Sequence, residues 1–102
     1  MEENVVMEII LNSGDARSTA MEAIRLASEG NFAEAEKYLE NANEKLITAH
    51  KVQYEMIKDE ANGKTHKIGL LEMHALDHFM NAITVLDLAK ENIKLWKYIL
   101  AK

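Results

Sequence analysis

Apolar residues recur at helical spacing in three stretches of the chain, and glycines separate the stretches. Gly30 and Gly63 each lie between two such stretches, where glycine commonly caps the C-terminus of a helix. The pattern predicts three helices of about 26, 31 and 34 residues. Because short connections make neighbouring helices antiparallel, we predict an all-α fold, an up-down-up three-helix bundle that forms one domain over residues 1–102.

The first two predicted helices each carry one clear apolar stripe. Gly14 lies inside the first stripe, where it allows a kink or a close approach of another helix. Asn31 and Glu34 have the spacing of a capping box at the start of the second helix, and Thr65 or His66 would cap the third. The first stripe is Val6, Ile9, Ile10, Ser13, Ala16, Ala20, Ala23, Ile24 and Ala27; the second is a seven-residue repeat of Phe32, Ala35, Leu39, Ala42, Leu46, Ala49, Gln53 and Met56.

The third predicted helix carries two adjacent stripes instead of one. A wide apolar face on a slender bundle predicts burial against another copy of the chain, so we expect an oligomer. The first stripe is Leu71, His74, His78, Ala82, Val85, Leu86, Ala89, Ile93, Trp96 and Leu100; the second is Leu70, Met73, Asp77, Met80, Thr84 and Leu88.

Composition excludes several classes of function. The chain has no cysteine, which rules out disulfides, thiolate nucleophiles and cysteine metal sites, and it has no proline and four glycines, too few turn formers for an all-β fold. A net charge of -5 argues against nucleic acid as a partner. The start of the chain lacks the basic region of a signal peptide, and no apolar run is long enough to span a membrane, so we expect a cytoplasmic protein.

The one dense group of chemically active residues is His74-Ala75-Leu76-Asp77-His78. Residues three and four apart share a helix face, so His74, Asp77 and His78 would lie together. A neutral imidazole is a competent nucleophile near neutral pH, which makes His74 a candidate for covalent chemistry. The alternative is two hydrogen-bonded core histidines beside an exposed aspartate. A ring of Asp77 carboxylates on an oligomer axis would suit Mg²⁺ or Ca²⁺.

Gln53 interrupts the apolar repeat of the second helix, at the predicted level of His74 and Asp77. Its amide would either orient a histidine ring or fix the register of the bundle. His50 and His66 fall on a helix surface and in a turn, and we assign them no role.

Three segments resemble the lactose/cellobiose-type IIA proteins of the bacterial phosphotransferase system. Ile68–Ala82 is similar to that family's active-site segment, typically Leu-Leu-x-Val-His-Ala-Gln-Asp-His-Leu-Met. Ile9–Ser18 is similar to its first-helix run, Ile-Ile-x-x-Ala-Gly-Asn/Asp-Ala-Arg-Ser, and Ala20–Ala35 is similar to the junction of its first two helices. The resemblance covers essentially the whole chain.

The resemblance implies a homotrimer of three-helix subunits. It implies that His74 accepts a phosphoryl group from the phosphocarrier HPr and passes it to a cysteine of a cognate IIB component. Because His78 lies one turn along the helix from His74, we expect it to donate a hydrogen bond to the phosphoryl oxygens. Asp77 would hold a divalent metal ion, Mg²⁺, on the trimer axis. The chain would then be a phosphotransferase component and not a stand-alone enzyme, linked to the membrane only through the IIC component. Lactose, cellobiose, chitobiose and other β-glycosides stay open as the sugar.

The sequence departs from the family pattern at three positions. Leu76 replaces a glutamine, Glu72 an apolar residue and Gly69 a small polar residue. A lost amide and an added negative charge beside His74 are also compatible with a divergent structural or regulatory trimer that no longer transfers phosphate. A histidine phosphotransfer domain of two-component signalling is a further alternative, but the Lys-Gly that usually follows its histidine is absent.

Overall fold

A computed structural model describes residues 1–102 and contains four α-helices and no strands. They are α1 (Glu3–Ser28), α2 (Phe32–Lys45), α3 (Ile47–Ala61) and α4 (Leu70–Leu100). The all-α prediction is confirmed. The molecule is a slender rod of 55 × 24 × 18 Å. No helix combines the length and the apolar character needed to cross a membrane.

Helices α1 and α4 run in the same direction along the rod. The nitrogen of Met1 lies 3.7 Å from Oε2 of Glu72 at one end of the rod. At the other end, Gly30 lies beside the side chain of Leu100. Helices α1 and α4 therefore run parallel, as the first and last helices of an up-down-up bundle must.

The two glycine caps form as predicted. Gly30 and Gly63 have φ angles of 85° and 84°, a region that glycine enters without steric cost. Just beyond them, the Asn31 amide donates to the Leu26 carbonyl at 2.9 Å and the Lys64 amide donates to the Asp59 carbonyl at 2.8 Å. These bonds to the fifth residue back satisfy carbonyls that the ends of α1 and α3 would otherwise leave free.

The prediction of one unbroken second helix is wrong, because the chain breaks at Leu46. The Leu46 amide donates to the Asn43 carbonyl, three residues back instead of four, at 3.1 Å, and Leu46 serves as both the last cap of α2 and the first cap of α3. Ile47 and Thr48 follow, and their β-branched side chains lose rotamer freedom in a helix, which favours a break here. The predicted stripe still faces inward from Ala35 to Ala49.

Asn31 is the N-cap of α2, as predicted, whereas the predicted start of the last helix at Thr65 or His66 is wrong. Asn31 makes no side-chain capping hydrogen bond, so the capping box with Glu34 does not form. Helix α4 begins after Gly69, and the connection before it is longer than predicted. His66 bonds to Asp59 at 2.9 Å, which holds its side chain on the end of α3 and away from α4.

The core is small and rich in alanine. Ten of its 17 buried apolar residues are alanines, which allow the helices to approach closely. The stripe of α1 is buried as predicted, and α1 continues through Gly14 without a break. Nothing lies within 4 Å of where a Gly14 Cβ would be, so no close packing explains this glycine.

The stripe predicted for the last helix is partly wrong. The buried residues of α4 are Ala75, Phe79, Ala82, Leu86, Ala89 and Ile93. Leu71 and His74 are exposed, and His78 is only half-buried. The whole second stripe, from Leu70 to Leu88, is exposed. Because both stripes of α4 are apolar, periodicity alone could not show which face packs inward.

Candidate functional site

Helix α4 brings the three predicted site residues onto one face. His74, Asp77 and His78 are three and four residues apart in a helix that runs unbroken from Leu70 to Leu100. Because α4 begins at Leu70, His74 lies just over one turn from the N-terminus, closer to the positive end of the helix dipole than predicted.

The two histidines contact each other directly. Nε2 of His78 lies 3.0 Å from Nε2 of His74, and the rings are nearly perpendicular, at 87° with 4.4 Å between centroids. One Nε2 must donate its proton to the lone pair of the other, so the pair cannot carry protons on both of these nitrogens. His74 is exposed and His78 is half-buried, so the more accessible ring is held by the better anchored one. The interpretation as two core histidines is not supported for His74.

Asp77 is exposed on the adjacent side of α4. It lines a shallow, open depression with Leu70, Leu71, Met73 and His74, and it makes no hydrogen bond or ion pair within the chain. No group of three or more histidine or carboxylate side chains in one subunit is arranged to hold a metal ion. A hard-oxygen site at Asp77 would therefore need carboxylates from other copies of the chain.

Gln53 does not contact the histidines. Its Nε2 donates to Sδ of Met80 at 3.3 Å, a contact that joins α3 to α4. The proposed role in orienting a histidine ring is therefore not what the structure shows. The bond across two helices agrees with the other interpretation, a polar residue that fixes their register.

The three departures from the family pattern occupy different environments. Leu76 is half-buried and lines a hollow with Ile57 of α3 and Ile68, so within one subunit it points away from His74. Oε2 of Glu72 is buried without a hydrogen-bond partner. Gly69 is the N-cap of α4, in an extended conformation with no side chain to bond the free amides.

The other two histidines are separate from the pair. The ring of His50 lies edge-on to Phe79, with 6.1 Å between centroids, and His66 bonds Asp59 in the connection before α4. Neither bonds to His74 or His78.

Residues 4–97 match the protein family described as the lactose/cellobiose-specific IIA subunit of the PTS system. The chain belongs to this IIA family. The lichenan-specific phosphotransferase enzyme IIA component of Bacillus subtilis is 47% identical over 97 residues, which cover 95% of the chain and 88% of that protein. The N,N'-diacetylchitobiose-specific EIIA component of Escherichia coli K12 is 39% identical over 93 residues, 91% of the chain and 80% of that protein.

Two solved structures of IIA proteins are similar to this one. The cellobiose-specific enzyme IIA of Bacillus anthracis superposes with a TM-score of 0.86 at 47% identity and covers 100% of the chain and 95% of that protein. The chitobiose IIA in a solution complex with HPr superposes at 0.80 with 35% identity and 97% coverage of both chains. The predicted family is confirmed, and with it the function of a IIA protein as a phosphoryl-carrying component of sugar uptake.

Proposed function

We propose that His74 is the residue that carries the phosphoryl group, taking it from HPr and passing it to a cysteine of a cognate IIB component during uptake of a β-glycoside. The observation that supports this most directly is the exposed His74 ring, held at Nε2 by His78 on a rigid helix. The similarity to a IIA protein solved in complex with HPr supports the donor. The predicted cytoplasmic location is part of this proposal, because HPr, this protein and the IIB component must meet to exchange the phosphoryl group.

The transfer needs a free nitrogen lone pair and an in-line approach. The lone pair of His74 Nε2 forms the new P–N bond while the P–N bond of the donor breaks, and the donor nitrogen keeps the electron pair. In the second step the N–P bond of His74 breaks as a cysteine thiolate of the acceptor forms an S–P bond. Each step moves the phosphoryl group alone, so the protein supplies mainly orientation and charge stabilisation.

His78 fits two consecutive tasks in this scheme. Because His74 must supply a lone pair, the proton of the 3.0 Å contact would be on Nε2 of His78, and this bond would fix the His74 ring before transfer. A phosphoryl group on Nε2 of His74 would occupy the position of the bond, and the same N–H would then donate to a phosphoryl oxygen. Charge-assisted bonds of this kind are stronger than neutral ones.

Phosphorylation by purified HPr, the first enzyme of the system and labelled phosphoenolpyruvate tests the role of His74. Wild type should acquire an acid-labile phosphohistidine, and His74→Ala should acquire none. His50→Ala is the matched control, because His50 is exposed but does not bond to the pair. Label in His74→Ala would contradict the assignment. Absence of label in wild type would favour the alternative of a structural or regulatory trimer.

The proposal includes a homotrimer built on the exposed second stripe of α4. Nine of the 18 exposed large apolar residues belong to α4. An exposed apolar surface of this kind commonly marks an interface with another protein chain. We expect a sedimentation mass of about three times the 11.6 kDa subunit. Leu88→Glu should dissociate the assembly, because Leu88 belongs to the stripe, lies near the middle of α4 and is 63% exposed in one subunit. A wild-type monomer at micromolar concentration would contradict this part.

Mg²⁺ bound by Asp77 carboxylates is the last part of the proposal. In a symmetric trimer, three copies of this unpaired carboxylate would supply the hard oxygen ligands that Mg²⁺ prefers. Metal content after dialysis against Mg²⁺ should fall in Asp77→Asn. It should not fall in Asp87→Asn, a control on an exposed position of the same helix. Equal metal content in wild type and Asp77→Asn would refute the site.

A further inference from the structure

His74, Asp77 and His78 form a polar row on one face of α4, and this row continues beyond His78. Asn81 follows three residues after His78 and four after Asp77, so it belongs to the same helix face. Its side chain is exposed and makes no hydrogen bond within the chain, which leaves both amide protons free. The next position of the row is the half-buried Val85, so Asn81 is the last polar group on this side of the pair.

A phosphoryl group on His74 has more acceptor oxygens than the one N–H of His78 can satisfy. No lysine or arginine bonds to His74 or His78, whose contact is with each other. In the family pattern an amide stands at position 76, but here that position holds Leu76, which faces the hollow beside α3. Asn81 is therefore the one amide in this row that could serve the phosphoryl group from the same chain.

The direction of the His74 ring brings its reactive nitrogen towards Asn81. Because Nε2 of His74 faces Nε2 of His78, a phosphoryl group there would lie between the two rings, on the side of His74 that faces His78 and Asn81. Side chains in a helix lean towards its N-terminus, so Asn81 leans over the same turn. Residues three apart, such as His78 and Asn81, have Cβ atoms about 5–6 Å from each other, which places the Asn81 amide beside the ring that contacts Nε2 of His74.

We propose that Asn81 is a further phosphoryl-binding residue, whose Nδ2–H donates to an oxygen of the phosphoryl group on His74. The inference rests on His74 as the phosphorylated residue. Asn81 would lower the energy of the phosphorylated state without taking part in bond formation, and it would do the work that the family pattern gives to an amide at position 76. A carboxylate at position 81 would instead repel the group.

Hydrolysis of the purified phosphoprotein measures this directly. Asn81→Ala should shorten the lifetime of the phosphohistidine about 10- to 100-fold, as expected for loss of one hydrogen bond to a charged group. Asn81→Asp should shorten it further, and Asn81→Gln should restore part of it. Asn41→Ala, a change at an exposed asparagine of α2, is the control. Equal lifetimes in wild type, Asn81→Ala and Asn41→Ala would overturn the proposal.

A second measurement uses the wild type and separates the role of Asn81 from the role of His74. The side-chain amide proton signals of Asn81 in a ¹⁵N–¹H spectrum should shift on phosphorylation, while those of Asn41 should not. Unmoved Asn81 signals in a phosphorylated protein would refute the role of Asn81 and leave His74 as the carrier. A wild type that takes up no label would refute the role of His74 itself.

Discussion

Replacing His78 tests whether its contact with His74 supports phosphoryl transfer. His78→Ala removes the only side chain that bonds His74, at a nitrogen–nitrogen distance of 3.0 Å. The ring of His74 then loses its orientation, and the phosphoryl group loses a donor. A hydrogen bond to a charged group contributes about 1.5–3 kcal/mol. Since about 1.4 kcal/mol corresponds to a factor of ten, we expect the transfer rate to fall about 10- to 100-fold.

The assay is a single-turnover measurement of phosphoryl transfer from phospho-HPr, with quenched samples counted for phosphohistidine. His78→Gln keeps an N–H donor and should recover part of the rate. His66→Ala is the control, because it also loses a histidine hydrogen bond, to Asp59, away from the pair. Circular dichroism would verify that each variant keeps its helix content. A rate for His78→Ala within twofold of wild type, or a loss shared equally by His66→Ala, would refute the reasoning.

Two predictions concern stability. Ser13 is 1% exposed and its hydroxyl has no hydrogen-bond partner. Ser13→Ala should therefore raise the free energy of unfolding by about 1–2 kcal/mol in urea titrations at one protein concentration; a gain no larger than that of the exposed Ser18→Ala would show that the hydroxyl is satisfied. Gly69 is an N-cap in an extended conformation with nothing within 4 Å of a Cβ. Gly69→Ser should add about 0.5–1 kcal/mol, measured the same way, and a loss of stability would contradict that cap assignment.

The fold was predictable where a local rule decides the structure. Gly30 and Gly63 mark helix ends because their backbone angles favour glycine. The alanine-rich stripe of α1 is the only apolar stripe on that helix, so it could be predicted to be the buried face. The break at Leu46 was not predictable from periodicity, because the apolar repeat continues across it while the backbone bonding changes. The late start of α4 was not predictable either, and the nearby contact between His66 and Asp59 joins residues seven apart and leaves no pattern in the sequence.

The candidate site was predictable to the level of a shared helix face. The spacing of His74, Asp77 and His78 is local, so the structure brings them together as expected. The neighbours of that face are decided by tertiary packing. For this reason Gln53 bonds Met80 instead of a histidine, and Leu76 lies against α3 instead of beside His74.

The break at Leu46 divides the molecule into parts of unequal rigidity. Helix α1 has seven buried residues and α4 has six, whereas α3 has only Ala49. Segments with few buried apolar groups open at lower free energy than the core that surrounds them. Amide protons of α3 should therefore exchange with solvent sooner than those at the centre of α1 or α4. Since His74 and His78 both belong to α4, such local opening would leave their contact in place while the surface beside them adapts to partners of different shape.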